Sequence, residues 1–211
     1  MATRILLAFL LAALLLPSAL ARADNPTVVA TVGRNNAFVI SLNDASGNPV
    51  KHLDPGTYEV VVHDLSEMHN FHLHGPGVQQ ATAVGNVEEV TWTVTLTDGK
   101  YGFDCTAHPT VMNGWFTVGQ VAATRFAASV GPKRVISLKP KAAEVGPATF
   151  TVNDRSRLDN LHLVGPGVNR KTGVAFRGQL TWNLTLQPGT YTYRSDKHKS
   201  LRGSFVVRLP A

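Results

Sequence analysis

The chain has 211 residues, of which 44% are hydrophobic and 16% are charged, and its formal net charge is +6. Its length is sufficient for two small domains with ordinary hydrophobic cores. The single cysteine, Cys105, excludes a disulfide within the chain, so packing has to supply the stability.

The N-terminal residues 1–23 have the pattern of a signal peptide. Arg4 precedes the apolar run "ILLAFLLAALLLPSALA", and "ARA" at 21–23 is a small-x-small cleavage pattern. A membrane anchor is the alternative, but the run is short for a bilayer span and Pro17 interrupts it. We expect cleavage after Ala23 and a periplasmic or secreted protein.

The remaining sequence repeats itself. "HNFHLHGPGV" at 69–78 returns as "DNLHLVGPGV" at 159–168, and "TWTVTLTDGKYGF" at 91–103 returns as "TWNLTLQPGTYTY" at 181–193. "VISL" at 39–42 recurs at 135–138. A constant long offset indicates domain duplication, because solenoid units are shorter. We predict a first domain at 24–120 and a second at 121–211, with residues 119–131 as the joint.

Each repeat is predicted to be all-β. The segments 57–64, 87–96 and 114–118 are rich in Val, Thr, Tyr and Trp, and turn signals such as "DPG", "GPG" and "TDG" separate them. Short strands at this spacing predict a β-sandwich or barrel, and no long amphipathic helix is expected after residue 23.

The segment "YGFDCTAHPTVMNGWFTV" at 101–118 places Cys105, His108 and Met112 on one loop between two strands. A thiolate, imidazoles and a thioether suit copper better than a hard cation, and His69 is the natural second histidine. Two alternatives are a lone buried cysteine without a metal and a zinc site, although zinc sites rarely use methionine.

These residues resemble the cupredoxins, the plastocyanin and azurin group of type 1 copper proteins. The resemblance rests on His69-Asn70, on "YGFDC" leading into C-x2-H-x3-M, and on the closing strand "NGWFTV". It implies tandem Greek-key β-sandwiches with one type 1 copper per chain. It assigns Cys105 as thiolate ligand, His69 and His108 as imidazole ligands and Met112 as axial ligand.

The resemblance also implies further roles. Asn70 would tie its loop to the cysteine loop, at Thr106, and His108 would be the partly exposed ligand through which electrons leave. Apolar neighbours would form a docking patch for transient redox partners; those named by the resemblance are Pro109, Val111, Pro76 and Val78. The expected protein is a single-electron carrier and not an enzyme; an extracytoplasmic module that binds or delivers copper is the alternative.

The other histidines receive different predictions. His72 recurs as His162, which indicates a packing or hydrogen-bonding role, whereas His74 is replaced by Val164. "HLHG" also resembles the His-x-His pairs of multicopper oxidases, but those enzymes need several pairs and this chain has one. His52 and His63 are expected at the surface, and Met68 is expected to pack rather than to ligate.

The second domain lacks the ligand set. His69, Cys105 and Met112 correspond to Asp159, Ser195 and either Leu201 or Arg202, and only His198 is kept. We predict a degenerate, metal-free copy. A Ser195–His198–Asp159 hydrolase is the alternative, but no nucleophile-elbow sequence surrounds Ser195.

The two halves carry opposite charge. Residues 24–122 contain 3 Lys and Arg against 10 Asp and Glu, and residues 123–211 contain 15 against 4. Such a field can steer a partner or hold the basic half on an anionic surface. Nucleic acid is not expected as a partner, because the chain has no nucleic-acid motif.

Overall fold

The computed structural model describes residues 24–210, so the predicted signal peptide lies outside the described residues. The first domain has a single 3-10 turn at Arg34–Asn36 among its described residues. Its nine strands are β1 (Thr27–Val32), β2 (Ile40–Asp44), β3 (His52–Leu53), β4 (Gly56–Asp64), β5 (His72–Gly75), β6 (Val78–Ala81), β7 (Glu88–Leu96), β8 (Gly99–Asp104) and β9 (Asn113–Val118).

These strands form two sheets, in the orders β2-β1-β4-β7 and β3-β9-β8-β5-β6. Buried and less buried residues alternate along β4, so that Tyr58, Val60 and Val62 point into the core. From the other sheet, Tyr101 and Phe116 stack at a centroid distance of 5.3 Å. The core therefore fills the space between two sheets, as in a β-sandwich.

The second domain repeats this plan with the sheet orders β11-β10-β13-β16 and β12-β18-β17-β14-β15. Phe126, Phe150 and Phe205 cluster in its core. Its strands are β10 (Thr124–Gly131), β11 (Val135–Lys139), β12 (Ala142–Glu144), β13 (Gly146–Asp154), β14 (His162–Gly165), β15 (Val168–Lys171), β16 (Gly178–Leu186), β17 (Gly189–Arg194) and β18 (Arg202–Arg208).

The fold confirms the all-β prediction and the duplication. The recurring "VISL" is a real correspondence, because Ile40 pairs with Val32 on β1 and Ile136 pairs with Val130 on β10. The joint is shorter than predicted: residues 124–131 form β10, which pairs in parallel with β13, and the connection between β9 and β10 is 119–123. Across the described residues, no helix is long and apolar enough to cross a membrane.

Candidate metal centre

Pairing between β5 and β8 brings the two halves of the predicted site together. His72 at the start of β5 lies opposite Asp104 at the end of β8. The loop before β5, which contains His69, therefore meets the loop after β8, which begins with Cys105. The sequence separates these two residues by 36 positions, and the sheet register makes them neighbours.

Three donor atoms face one another at this junction. The Cys105 Sγ atom is 3.8 Å from His69 Nδ1 and 3.7 Å from His108 Nδ1, and the two Nδ1 atoms are 3.2 Å apart. An ion about 2.0 Å from nitrogen and about 2.3 Å from sulfur places such atoms about 3.3–3.7 Å apart. The donor set and its spacing therefore fit one soft or borderline metal ion.

The pocket is largely closed to solvent. His69, Cys105 and Met112 have no exposed surface, whereas His108 is half-buried. Met112 closes the loop: its carbonyl oxygen accepts from the Cys105 N–H at 3.0 Å, and its N–H donates to the His108 carbonyl at 3.0 Å. These backbone bonds close the loop that carries Cys105 and His108, with Met112 buried at its end.

Asn70 joins the two loops. Its Oδ1 accepts hydrogen bonds from the Thr106 N–H at 2.8 Å and from the Thr106 hydroxyl at 3.0 Å, and its Nδ2 donates to the Thr82 carbonyl at 3.1 Å. The contact between Asn70 and Thr106 is the one that the resemblance implied. It fixes His69 relative to Cys105.

Phe38 is a site residue that the sequence analysis missed. Its ring meets His69 edge-on at 5.1 Å and His108 at 4.8 Å, and 56% of Phe38 remains exposed. Phe38 lies in the irregular segment before β2, where no motif or periodicity marks it. It covers the outer side of both imidazoles with an apolar ring.

No protein-family model and no curated protein matches the chain. Among solved structures, a multicopper oxidase matches 86% of this chain and 87% of its own, at 13% identity and a TM-score of 0.31. A Cu-containing nitrite reductase from Thermus scotoductus SA-01 matches 87% of this chain and 61% of its own, at 12% identity and a TM-score of 0.33. Reduced rusticyanin matches 44% of this chain and 78% of its own, at 22% identity and a TM-score of 0.35.

The two domains, each built from a four-stranded and a five-stranded sheet, form tandem cupredoxin-like β-sandwiches. The prediction that the chain is not an enzyme is wrong on this comparison. The matches that span most of the chain are an oxidase and a nitrite reductase, which are enzymes by name, whereas rusticyanin matches less than half of it.

The second cupredoxin-like domain replaces the donor set with a hydrogen-bonded cluster. Asp159 Oδ1 accepts from the Ser195 hydroxyl at 2.7 Å and lies 2.6 Å from His198 Nδ1. Burial alone would raise the pKa of Asp159, but its contacts with Ser195 and His198 lower it below the ordinary value. Leu201, not Arg202, takes the place of Met112, because its carbonyl accepts from the Ser195 N–H at 2.9 Å.

This cluster does not have the order of a hydrolase triad. Ser195 donates to the carboxylate rather than to the imidazole, and both Ser195 and His198 bond the same aspartate oxygen. A general base has to lie next to the nucleophile's proton, and here the aspartate takes that position. The geometry therefore does not support the hydrolase alternative.

Two parts of the predicted docking patch are wrong. Val78 is buried in the core, and Pro76 packs near Gly99 at the start of β8, the opposite end of that strand from Cys105. Pro109 and Val111 do lie beside His108, and Val111 is 65% exposed. The exposed apolar neighbours of His108 are therefore Phe38, Pro109 and Val111, which we call the His108 rim.

The predictions for the remaining histidines and for Met68 have different outcomes. His52 is exposed as expected, and His63 is half-buried with its Nδ1 2.8 Å from Glu89. Met68 is 50% exposed, so the prediction that it packs is wrong. His72 makes the predicted hydrogen bond, to Asp104 at 3.0 Å, and His162 bonds Asp196 at 2.6 Å.

Proposed function

We propose that the chain is an exported type 1 copper protein whose first domain carries single electrons between redox partners. The observation that carries the proposal is the convergence of Cys105 Sγ, His69 Nδ1 and His108 Nδ1 within 3.8 Å, beside buried Met112. Two imidazoles, one thiolate and a weak axial thioether are the donor set of blue-copper electron-transfer sites.

A copper ion bound by these residues would supply a one-electron couple between Cu(II) and Cu(I). The protein's part is to hold the donors in place and to keep water away. Cys105 and His69 have no exposed surface, and Asn70 bonds both loops, so the donor positions are fixed by the fold before any metal binds. Such preorganisation suits a site that has to change charge without changing shape.

His108 gives the site one contact with the surface. It is half-buried, and the His108 rim surrounds it with apolar side chains. A small apolar rim supports weak, transient docking of a partner, which suits rapid electron exchange. We therefore place the exchange of electrons at His108, in a periplasmic or secreted setting that follows from the proposed signal peptide.

The first test is the visible absorption of residues 24–211 loaded with one equivalent of Cu(II). We expect an intense charge-transfer band that disappears in Cys105→Ser and persists in Ser195→Ala, the matched change in the second domain. Reversible electrochemical reduction with retention of copper is the second readout. A colourless wild-type protein would refute the type 1 site, and copper release on reduction would refute the carrier role.

A further inference from the structure

A second cluster of metal-ligating side chains lies on the first domain, outside the donor set described above. His72 Nδ1 is 3.0 Å from Asp104 Oδ1, and His74 Nε2 is 3.6 Å from Asp104 Oδ2. The ligand atoms of these three residues all lie within 4.8 Å of one another. The two imidazole rings stack at a centroid distance of 4.8 Å, on the same face of β5.

His74 has a nitrogen that the protein leaves without a partner. Its Nε2 is buried and makes no hydrogen bond among the described residues, since 3.6 Å to Asp104 is beyond hydrogen-bond distance. An unpaired buried polar atom lowers the stability of the folded state, so such an atom needs an explanation. A ligand bound between His74 and Asp104 would provide the missing partner.

The backbone around His74 is shaped to receive its ring. A Cβ atom on Gly102 would lie 2.4 Å from His74 Cε1 and 2.6 Å from Nε2, so the ring occupies the space that the glycine leaves. The second domain shows the contrast, because Val164 and Thr192 stand at the positions of His74 and Gly102. The fold thus accepts a valine and a threonine at these positions, and the histidine–glycine pair is a feature of the first domain alone.

We propose that His72, His74 and Asp104 bind one divalent transition-metal ion of the zinc type, as a second site separate from the copper ligands. Two imidazoles and one carboxylate are a common ligand set for such ions, and a fourth position stays open to water. Donors about 2.0–2.1 Å from a tetrahedral ion lie about 3.3 Å apart, between the 3.0 and 3.6 Å observed here.

Gln79 orients one of these ligands. Its side-chain amide lies 2.7 Å from His72 Nε2, the ring nitrogen that faces away from Asp104. In the second domain the equivalent residue, Asn169, contacts His162 Nε2 through its oxygen Oδ1, at 2.8 Å. As placed, the contacting atom is the amide nitrogen Nε2 of Gln79, which donates to the ring. With a metal on Nδ1 the proton moves to Nε2 of His72, and a half-turn of the Gln79 amide would present its carbonyl oxygen, the usual outer hydrogen bond of a metal-bound histidine.

The test is a calorimetric titration of Zn²⁺ into the chain whose first site already holds copper, with the copper–thiolate absorption followed in parallel. We expect the wild type to take up one equivalent of zinc with no loss of the absorption band. His74→Val should take up none and keep the band, because the second domain folds with valine at this position. Gly102→Thr, which also copies the second domain, should likewise abolish zinc uptake.

The control is His63→Gln, which removes a half-buried histidine from its pair with exposed Glu89 and should leave zinc uptake unchanged. Zinc uptake that bleaches the band, that persists in His74→Val, or that is absent from the wild type would overturn the proposal. If the wild type forms no thiolate band, the same titration is made on Cys105→Ala with and without His74→Val. The second site is thereby tested separately from the proposed electron carrier.

Discussion

Asn70 is the side chain that joins the two loops of the candidate metal centre. It is 3% exposed and makes three hydrogen bonds, of which the two with Thr106 join the loops of His69 and Cys105 and the third goes to the Thr82 carbonyl. We expect Asn70→Ala to lower the free energy of unfolding by about 2–3 kcal/mol, since each bond contributes about 1 kcal/mol. Urea titration of the copper-free protein measures this loss, and the thiolate band should weaken or shift.

The second domain supplies the control for that prediction. Asn160 bonds the Thr172 carbonyl at 3.0 Å and the Asp196 N–H at 2.8 Å, in the same arrangement as Asn70. Asn160→Ala should destabilise the protein to a similar degree and leave the band unchanged. Equal spectra for both variants would contradict a role for Asn70 in positioning the ligands.

Two aspartates should give stability profiles of opposite slope with pH. Burial raises the pKa of Asp64, which accepts a hydrogen bond from Thr82, whereas the hydrogen bond with His162 lowers the pKa of Asp196. A raised native pKa gives stability that is present below the unfolded pKa and is lost as pH rises. A lowered native pKa gives stability that is present above the unfolded pKa and is lost as pH falls.

The measurement is urea unfolding of the metal-free wild type, Asp64→Asn and Asp196→Asn between about pH 3 and pH 6, where carboxyl groups titrate. Relative to Asp64→Asn, the wild type should become less stable as pH rises. Relative to Asp196→Asn, it should become more stable. Parallel profiles for the two variants would contradict the assigned pKa directions.

At the level of strands, the sequence predicted the elements well but not how they pair. The alternation in 57–64 and the repeat between domains are local signals, and they found β4, β7 and β9. The pairing of His72 with Asp104 is a property of sheet register, and a one-residue slip would place them on opposite faces. The cluster of His72, His74 and Asp104 therefore could not be found by spacing along the chain.

The prediction of the docking patch was partly wrong for the same reason, because it relied on closeness along the sequence. The β5–β6 hairpin turns away from the copper pocket, so Pro76 lies at the far end of the sheet although it is close to His69 in sequence. Phe38, by contrast, is distant in sequence and lies against His69 and His108. His69, Cys105 and His108 could be proposed together from the sequence because their residue types form a specific pattern that does not depend on register, and the structure places their donor atoms within 3.8 Å of one another.

The loop between β8 and β9 should tolerate loss of its thioether. In the second domain Leu201 closes the equivalent loop with the same backbone bonds as Met112. We expect Met112→Leu to change the free energy of unfolding by less than about 1.5 kcal/mol, because this exchange conserves volume. The thiolate band should persist with Cys105 and both histidines in place, and the reduction potential should rise as the axial donor is lost.

Electrochemistry of Met112→Leu measures that shift, and Met68→Leu is the matched control. Met68 is 50% exposed and lies outside the donor set, so its replacement should alter neither the band nor the potential. A Met112→Leu protein with the wild-type potential would show that the thioether does not act on the copper.

On the scale of the whole molecule, the opposite charges of the two halves do not act through close contacts between the domains. The ion pair that joins them among the described residues is Lys100 with Glu144, at 3.6 Å. It takes its cation from the acidic half and its anion from the basic half. Trp115 adds a neutral bond across the same boundary, donating to Gln187 Oε1 at 3.1 Å. The acidic side chains of one half and the basic side chains of the other are therefore available to solvent and to binding partners.

The basic half should bind anionic membranes. Arg194, Lys199 and Arg202 line one shallow hollow with Asp196 as their acidic neighbour, and the 123–211 half has 15 basic residues against 4 acidic ones. Each basic residue near an anionic surface contributes about 1 kcal/mol, and salt screens the attraction over about 10 Å at 0.1 M. We expect co-sedimentation with phosphatidylserine-rich vesicles at low salt, and little at about 0.5 M salt or with phosphatidylcholine alone.

Lys199→Ser with Arg202→Ser should weaken binding by about tenfold or more, since two contributions are removed. Binding that does not depend on salt concentration, or that is equal on both lipids, would show that the charge asymmetry serves solubility or partner proteins instead.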